Sequence, residues 1–144
     1  MRLSWMLLGA IVMGACDKPR EAPLPPPPTF SLGDVAGTWK VQAFREGSDS
    51  VLVEYQIAGT SDPAAWTMTL TNRPPMALRV SVDGDSLIAE AGPYESVLRP
   101  GVVVVAKTIS RLQGGKMVGT FSAKYATRMV DSVLTGRIEA TRMP

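Results

Sequence analysis

Few side chains in this sequence can do chemistry, and their scarcity narrows what the protein is able to be. There is one thiol, Cys16, at the end of Val12-Met13-Gly14-Ala15-Cys16, and there is no histidine; the remaining ionisable groups are three tyrosines and 15 Lys and Arg against 13 Asp and Glu. Without imidazole, the Ser/His and Cys/His nucleophile pairs and every His-based metal site are excluded. A single cysteine excludes an internal disulfide and a thiolate zinc site. Catalysis would have to run on carboxylates, lysines, tyrosines or hydroxyls alone, so no catalytic residue and no cofactor is assigned, and a non-enzymatic role is expected. Three short runs invite a chemical reading. Asp83-Gly84-Asp85-Ser86 alternates carboxylates as a calcium loop does, but it lacks the further oxygen ligands and the distal Glu; a hairpin turn without metal is expected. Gly114-Gly115-Lys116 fails the spacing of a phosphate loop, and no Ser or Thr follows the lysine. Glu90, Glu95 and Arg99 are candidates for a polar cluster, although nothing in the spacing brings two carboxylates together for glycosidase-type chemistry.

The setting of the thiol is more specific. Residues 1–15 carry one early cation, Arg2, then a largely apolar run from Leu3 to Met13 broken only by Ser4 and Gly9, then the small pair Gly14-Ala15. That is the order of a secretory signal. The apolar run falls short of the roughly 20 residues that a transmembrane helix needs. Because it ends directly in a cysteine, the stretch resembles the lipobox of bacterial lipoproteins, with Met13 at the usual aliphatic position. The resemblance implies that the Cys16 thiol is acylated and becomes the new N-terminus; the other reading is an ordinary leader with an incidental cysteine. Several acyl chains, at about 0.8 kcal/mol per buried CH₂, anchor a protein stably where one does not. Residues 16–31 then form a lipidated cysteine and spacer. Its run 17–29 holds six of the chain's 12 prolines, an extended backbone that cannot join a core. At about 3.1 Å per residue it spans roughly 40 Å. Asp17 resembles the inner-membrane retention signal of some enteric bacteria, a rule that varies among bacteria, so inner and outer membrane both stay open. The expected location is the cell envelope, on a bacterial membrane and facing the periplasm.

From residue 32 to 144 the hydropathy alternates with a period of two, the signature of half-buried strands. Trp39, Val41 and Ala43 alternate with polar neighbours, as do Val51, Val53, Tyr55 and Ile57, then Trp66, Met68 and Leu70, then Leu78, Val80 and Val82. Residues 86–91 return from the Asp-Gly turn with ambiguous faces. Val102 to Ile109 is β-branched and nearly continuous, which predicts cover on both faces for part of its length. Met117, Phe121, Ala123 and Tyr125 share one face, and Leu134, Ile138 and Ala140 end the series. Eight strands with short connections and no helix predict an all-β, antiparallel, up-and-down eight-stranded β-barrel, because closure removes both exposed edges. Gly37-Thr38-Trp39, Gly119-Thr120-Phe121 and Gly136-Arg137-Ile138 each set glycine two before an inward bulky residue, as expected where strands bend or approach closely.

Asp34-Val35-Ala36-Gly37-Thr38-Trp39, ahead of the first strand, resembles the opening Gly-x-Trp motif of lipocalins and the wider calycin group. The resemblance implies that Trp39 plugs one barrel end beneath a basic side chain from near the C-terminus, with Arg137 and Arg142 as the candidates. An interior lined by Trp39, Tyr55, Trp66, Met68 and Phe121 either accepts a small apolar ligand or is filled by its own side chains. Short strands with several aromatics favour filling, which moves binding to the mouth near Tyr94 and Arg99. These lie in 92–101, a segment framed by Gly-Pro and Pro-Gly that reads either as a binding rim or as a flap closing the barrel end. The expected ligand-binding residues are Trp39, Tyr55, Trp66, Tyr94, Arg99 and Phe121. The expected partners are the membrane through Cys16 and either a small apolar ligand or, for an inhibitor or assembly factor, another envelope protein. With 15 cations against 13 anions, attraction to nucleic acid or anionic lipid should be weak.

Overall fold

The structure, a computed structural model, describes Gly14, Pro23 and residues 30–128 and 132–144. The readings of the leader, of Cys16 and of the proline run therefore fall, apart from Gly14 and Pro23, outside the described residues.

Alternating hydropathy yields eight strands: β1 (Gly37–Arg45), β2 (Val51–Gly59), β3 (Thr67–Leu70), β4 (Met76–Asp83), β5 (Ser86–Glu95), β6 (Val103–Gln113), β7 (Lys116–Tyr125) and β8 (Val133–Arg142). Each pairs antiparallel with the next, and β1 pairs with β8, so the sheet closes into an up-and-down barrel. The tightest turns match their sequences. Gly114 and Gly115 both adopt positive φ between the paired Gln113 and Lys116, the backbone that a two-residue hairpin requires. Gly84, at φ 60, does the same beside Asp85, where Asp83 pairs with Ser86, so the alternating carboxylates form a hairpin turn.

Inward positions form one core. Trp39, Val41, Trp66, Met68, Leu70, Leu78, Leu87, Ala89, Met117, Ile138 and Ala140 are all buried in it. Leu87, Ala89 and Ala91 settle the faces of β5, which also runs four residues beyond the expected Ala91, past a bulge at Ala91/Tyr94, to Glu95. Two expectations need correction. The outer face of β6 is not covered: Val103 and Ile109 are 44% and 45% exposed while Val104 and Thr108 between them are buried. Among the described residues no element packs outside the meander there, although Val105 on the same face is half-buried, and the β-branched side chains suit the pleated backbone without a second layer. The chain also contains a 3₁₀ helix, Leu32–Val35. It is too short to show a helical period, and it is held by the Asp34 carboxylate accepting the Ser31 N–H at 2.8 Å.

The up-and-down course gives the barrel two unlike ends. The 3₁₀ helix, the β2–β3 connection, the two tight turns and the C-terminus lie at one end, here the closed end; the connections 46–50, 71–75 and 96–102, and residues 126–128 and 132 between β7 and β8, lie at the other, the open end. One wall is thin. β3 pairs with β4 at only two positions, Thr67↔Ala77 and Met68↔Met76. Pro74 and Pro75 follow at once, and proline has no N–H with which to extend the ladder.

Candidate functional site

The closed end is built as a plug. Trp39 is 1% exposed and its indole N–H donates to Val35 O at 2.9 Å, fixing the 3₁₀ helix across the barrel end. Closure of the ring decides which cation covers it. Trp39 lies opposite Arg142 in the β1–β8 register, and opposite residues in an antiparallel pair point to one face. The guanidinium carbon of Arg142 stands 4.4 Å from the indole centroid, and its nitrogens donate to Ala36 O and, at 3.2 Å, to Asp34 O. Arg137 lies instead opposite Phe44, 4.0 Å above that ring, and pairs with Asp49 and Glu139 at 3.0 Å each. Trp66, 2% exposed, donates to Thr60 O at 2.8 Å in the same closed half. Around the two indoles the interior is nearly solid, leaving only about 10 Å³.

The open half differs. Beneath the connection 96–102 lies a cavity of about 70 Å³, with an apolar floor that includes Met68, Leu70 and Phe121. All three tyrosines of the chain, Tyr55, Tyr94 and Tyr125, line it. Tyr55 arrives from the middle of β2, Tyr94 from β5 beyond the bulge, and Tyr125 from the end of β7. Among the described residues, none of their phenol oxygens has a hydrogen-bond partner in the protein. Among the described residues no buried side-chain nitrogen or oxygen is left unsatisfied, so the three oxygens reach accessible space. Burial pushes the Tyr55 phenol well above the ordinary tyrosine range, and the neighbouring Tyr94 adds to the shift. Tyr94 is raised by burial and by Tyr125, against the opposing pull of Arg73. The phenols of Tyr55 and Tyr94 are thus neutral donors and acceptors at ordinary pH, set above apolar walls.

The cover is an ordered turn. Ser96, 3% exposed, accepts the N–H groups of Leu98 and Arg99 on its hydroxyl at 3.1 Å each, and its own N–H donates to Val102 O at 2.8 Å. The Glu95 carboxylate accepts the Gly101 N–H at 3.0 Å. These bonds hold Val97 and Leu98 over the mouth, and Arg99 stacks 4.2 Å from the Tyr125 ring centroid. Arg73 donates to the Glu95 carbonyl, tying the proline-interrupted wall to the end of β5.

Of the residues expected to bind ligand, Tyr55, Tyr94 and Phe121 meet in this cavity and Arg99 sits on its rim, whereas Trp39 and Trp66 lie in the closed half. The expected cluster of Glu90, Glu95 and Arg99 does not form. Glu90 points outward to Arg79 at 2.9 Å and Glu95 bonds its own turn, because strand parity and the bulge send them away from Arg99. Tyr125 is one of several lining residues, with Leu70, Val104 and Ala106, outside the expected ligand-binding set; its inward parity with Phe121 and Ala123 at the open end of β7 was the available signal. Comparison with protein-family models, curated proteins and solved structures returns no match to this chain, so its reading rests on the barrel's own geometry.

Proposed function

We propose that this chain is a lipid-anchored cell-envelope protein whose lipocalin-like barrel binds a small apolar ligand, or the apolar end of a larger one, at its open end without catalysing a reaction. The observation that carries the reading is the cavity of about 70 Å³ lined by Tyr55, Tyr94 and Tyr125. It is about half the volume, roughly 150 Å³, of an apolar cavity that takes up benzene. A short alkyl group fits within it while a carbonyl or hydroxyl stays at the phenol layer. The run into Cys16 and the proline spacer support the anchor, and the Gly37-Thr38-Trp39 motif under Arg142 supports the likeness to lipocalins. A second reading, a protein-interaction module with a filled barrel, is favoured by the closed half, where only about 10 Å³ is empty.

One experiment addresses both parts. The full chain, produced in a bacterial host and extracted in mild detergent, is weighed intact by native mass spectrometry. The expected species begins at Cys16, carries covalent acyl mass and holds a stoichiometric non-covalent small molecule. Cys16→Ser should lose the acyl mass alone, and Ala106→Leu, which fills the cavity from β6, should lose the adduct alone. A barrel with no adduct and a co-purifying polypeptide would favour the interaction module instead.

A further inference from the structure

The exposed large apolar side chains are unevenly placed. Of the eight among the described residues, five are at the open end: Val51, Val97, Leu98, Val103 and Val133. Val51, Val103 and Val133 are the first residues of β2, β6 and β8, strands that all start at the open end. Val97 and Leu98 stand on the connection beyond it, 46% and 38% exposed. Charge is sorted along the same axis. Among the described residues the open end carries Arg45, Arg73, Arg99, Lys124 and Arg128 against Glu46, Asp49 and Glu95. Asp49 is paired with Arg137, the Glu95 carboxylate accepts the Gly101 N–H, and Arg99 lies over the Tyr125 ring. The closed end carries Asp34, Asp62, Asp83 and Asp85 against Arg111, Lys116 and Arg142. Among the described residues the open end thus has two more cations than anions, and the closed end one more anion than cations.

We infer that the open rim of the barrel docks on an anionic lipid surface, with Val97 and Leu98 entering the headgroup layer and Lys124 and Arg128 held against lipid phosphates. Aliphatic tips gathered at one end of the barrel among cations fit a layer of acyl chains capped by negative charge. A protein partner would more typically meet aromatic anchors, and the exposed tips here are all Val and Leu. Docking in this pose sets the mouth cavity against the acyl layer, since Val97 and Leu98 also line that cavity. The inference needs neither Cys16 nor a cavity ligand.

The barrel's strands, plug and core all lie within residues 30–144, so the chain from Asp17 onward contains the whole folding unit and no acylated cysteine. It is sedimented with phosphatidylglycerol–phosphatidylcholine vesicles and with pure phosphatidylcholine vesicles. Binding is expected to the mixed vesicles only, and to weaken with salt. Lys124→Ala and Arg128→Ala should each reduce the partition coefficient about fivefold, and Leu98→Asp roughly tenfold or more. Arg111→Ala and Lys116→Ala, at the closed end, should leave it within about twofold. Equal binding to both vesicle types, no binding at all, or equal losses from the closed-end variants would overturn the inference. So would self-association abolished by Leu98→Asp in the absence of vesicle binding, which would assign the rim to a second copy of the chain.

Discussion

Tyr55 holds its phenol where water is scarce, and this fixes the sign of its contribution to stability. Its folded titration lies above the ordinary one because burial, and then Tyr94, disfavour the phenolate. The unfolded chain loses that proton near pH 10 while the barrel keeps it, so above this point the unfolded state binds fewer protons and stability falls as pH rises. Tyr94 acts in the same direction. Chemical denaturation should thus show no loss from these two groups up to about pH 9, then a decline above about pH 10. Tyr55→Phe should make that decline shallower; an equally steep fall in the variant would assign it to other groups. Arg142 is the second side chain with a legible energetic role, because one guanidinium covers Trp39 and satisfies two carbonyls of the entering chain. Arg142→Ala is expected to lower stability by about 1–3 kcal/mol and to red-shift the tryptophan emission as water reaches the indole. Lysine restores charge without the planar fork and should rescue only part of the loss.

Among the elements, β7 and β8 show why glycine recurs before bulky inward residues. A Cβ on Gly119 would stand 1.9 Å from Ile109 O, and one on Gly136 would stand 2.0 Å from Phe44 O. The register sets Phe121 opposite Gly136, and its ring stands 2.6 Å from where a Gly136 Cβ would be, so Phe121 fills the space that glycine leaves; at Gly119, opposite Ile138, the space is taken by the backbone of β6. Gly119→Ala must push β6 away and is expected to cost at least about 2 kcal/mol in denaturant unfolding. Gly47→Ala is the control: its surroundings are open, and only its positive φ is penalised, by about 1 kcal/mol. The strands themselves were legible because one face of each is buried, which writes a period of two into the sequence. The 3₁₀ helix was not, since four residues carry no period. The choice between Arg137 and Arg142 over Trp39, and the meeting of three tyrosines from β2, β5 and β7, depend on register across the closed ring. Strand patterns alone do not carry that information.

For the molecule as a whole, composition described the charge correctly and missed its arrangement, because a sum has no direction. The axis that sorts the charges also separates the entering chain from the cavity: the approach through Phe30 and the 3₁₀ helix enters at the closed end, and the cavity opens at the other. Pairing of β1 with β8 has one more result, which concerns biosynthesis. Until β8 emerges, the nascent sheet has two raw edges and Trp39 has no cover. Closure of the ring and covering of the plug are thereby one event, timed by the synthesis of a single strand.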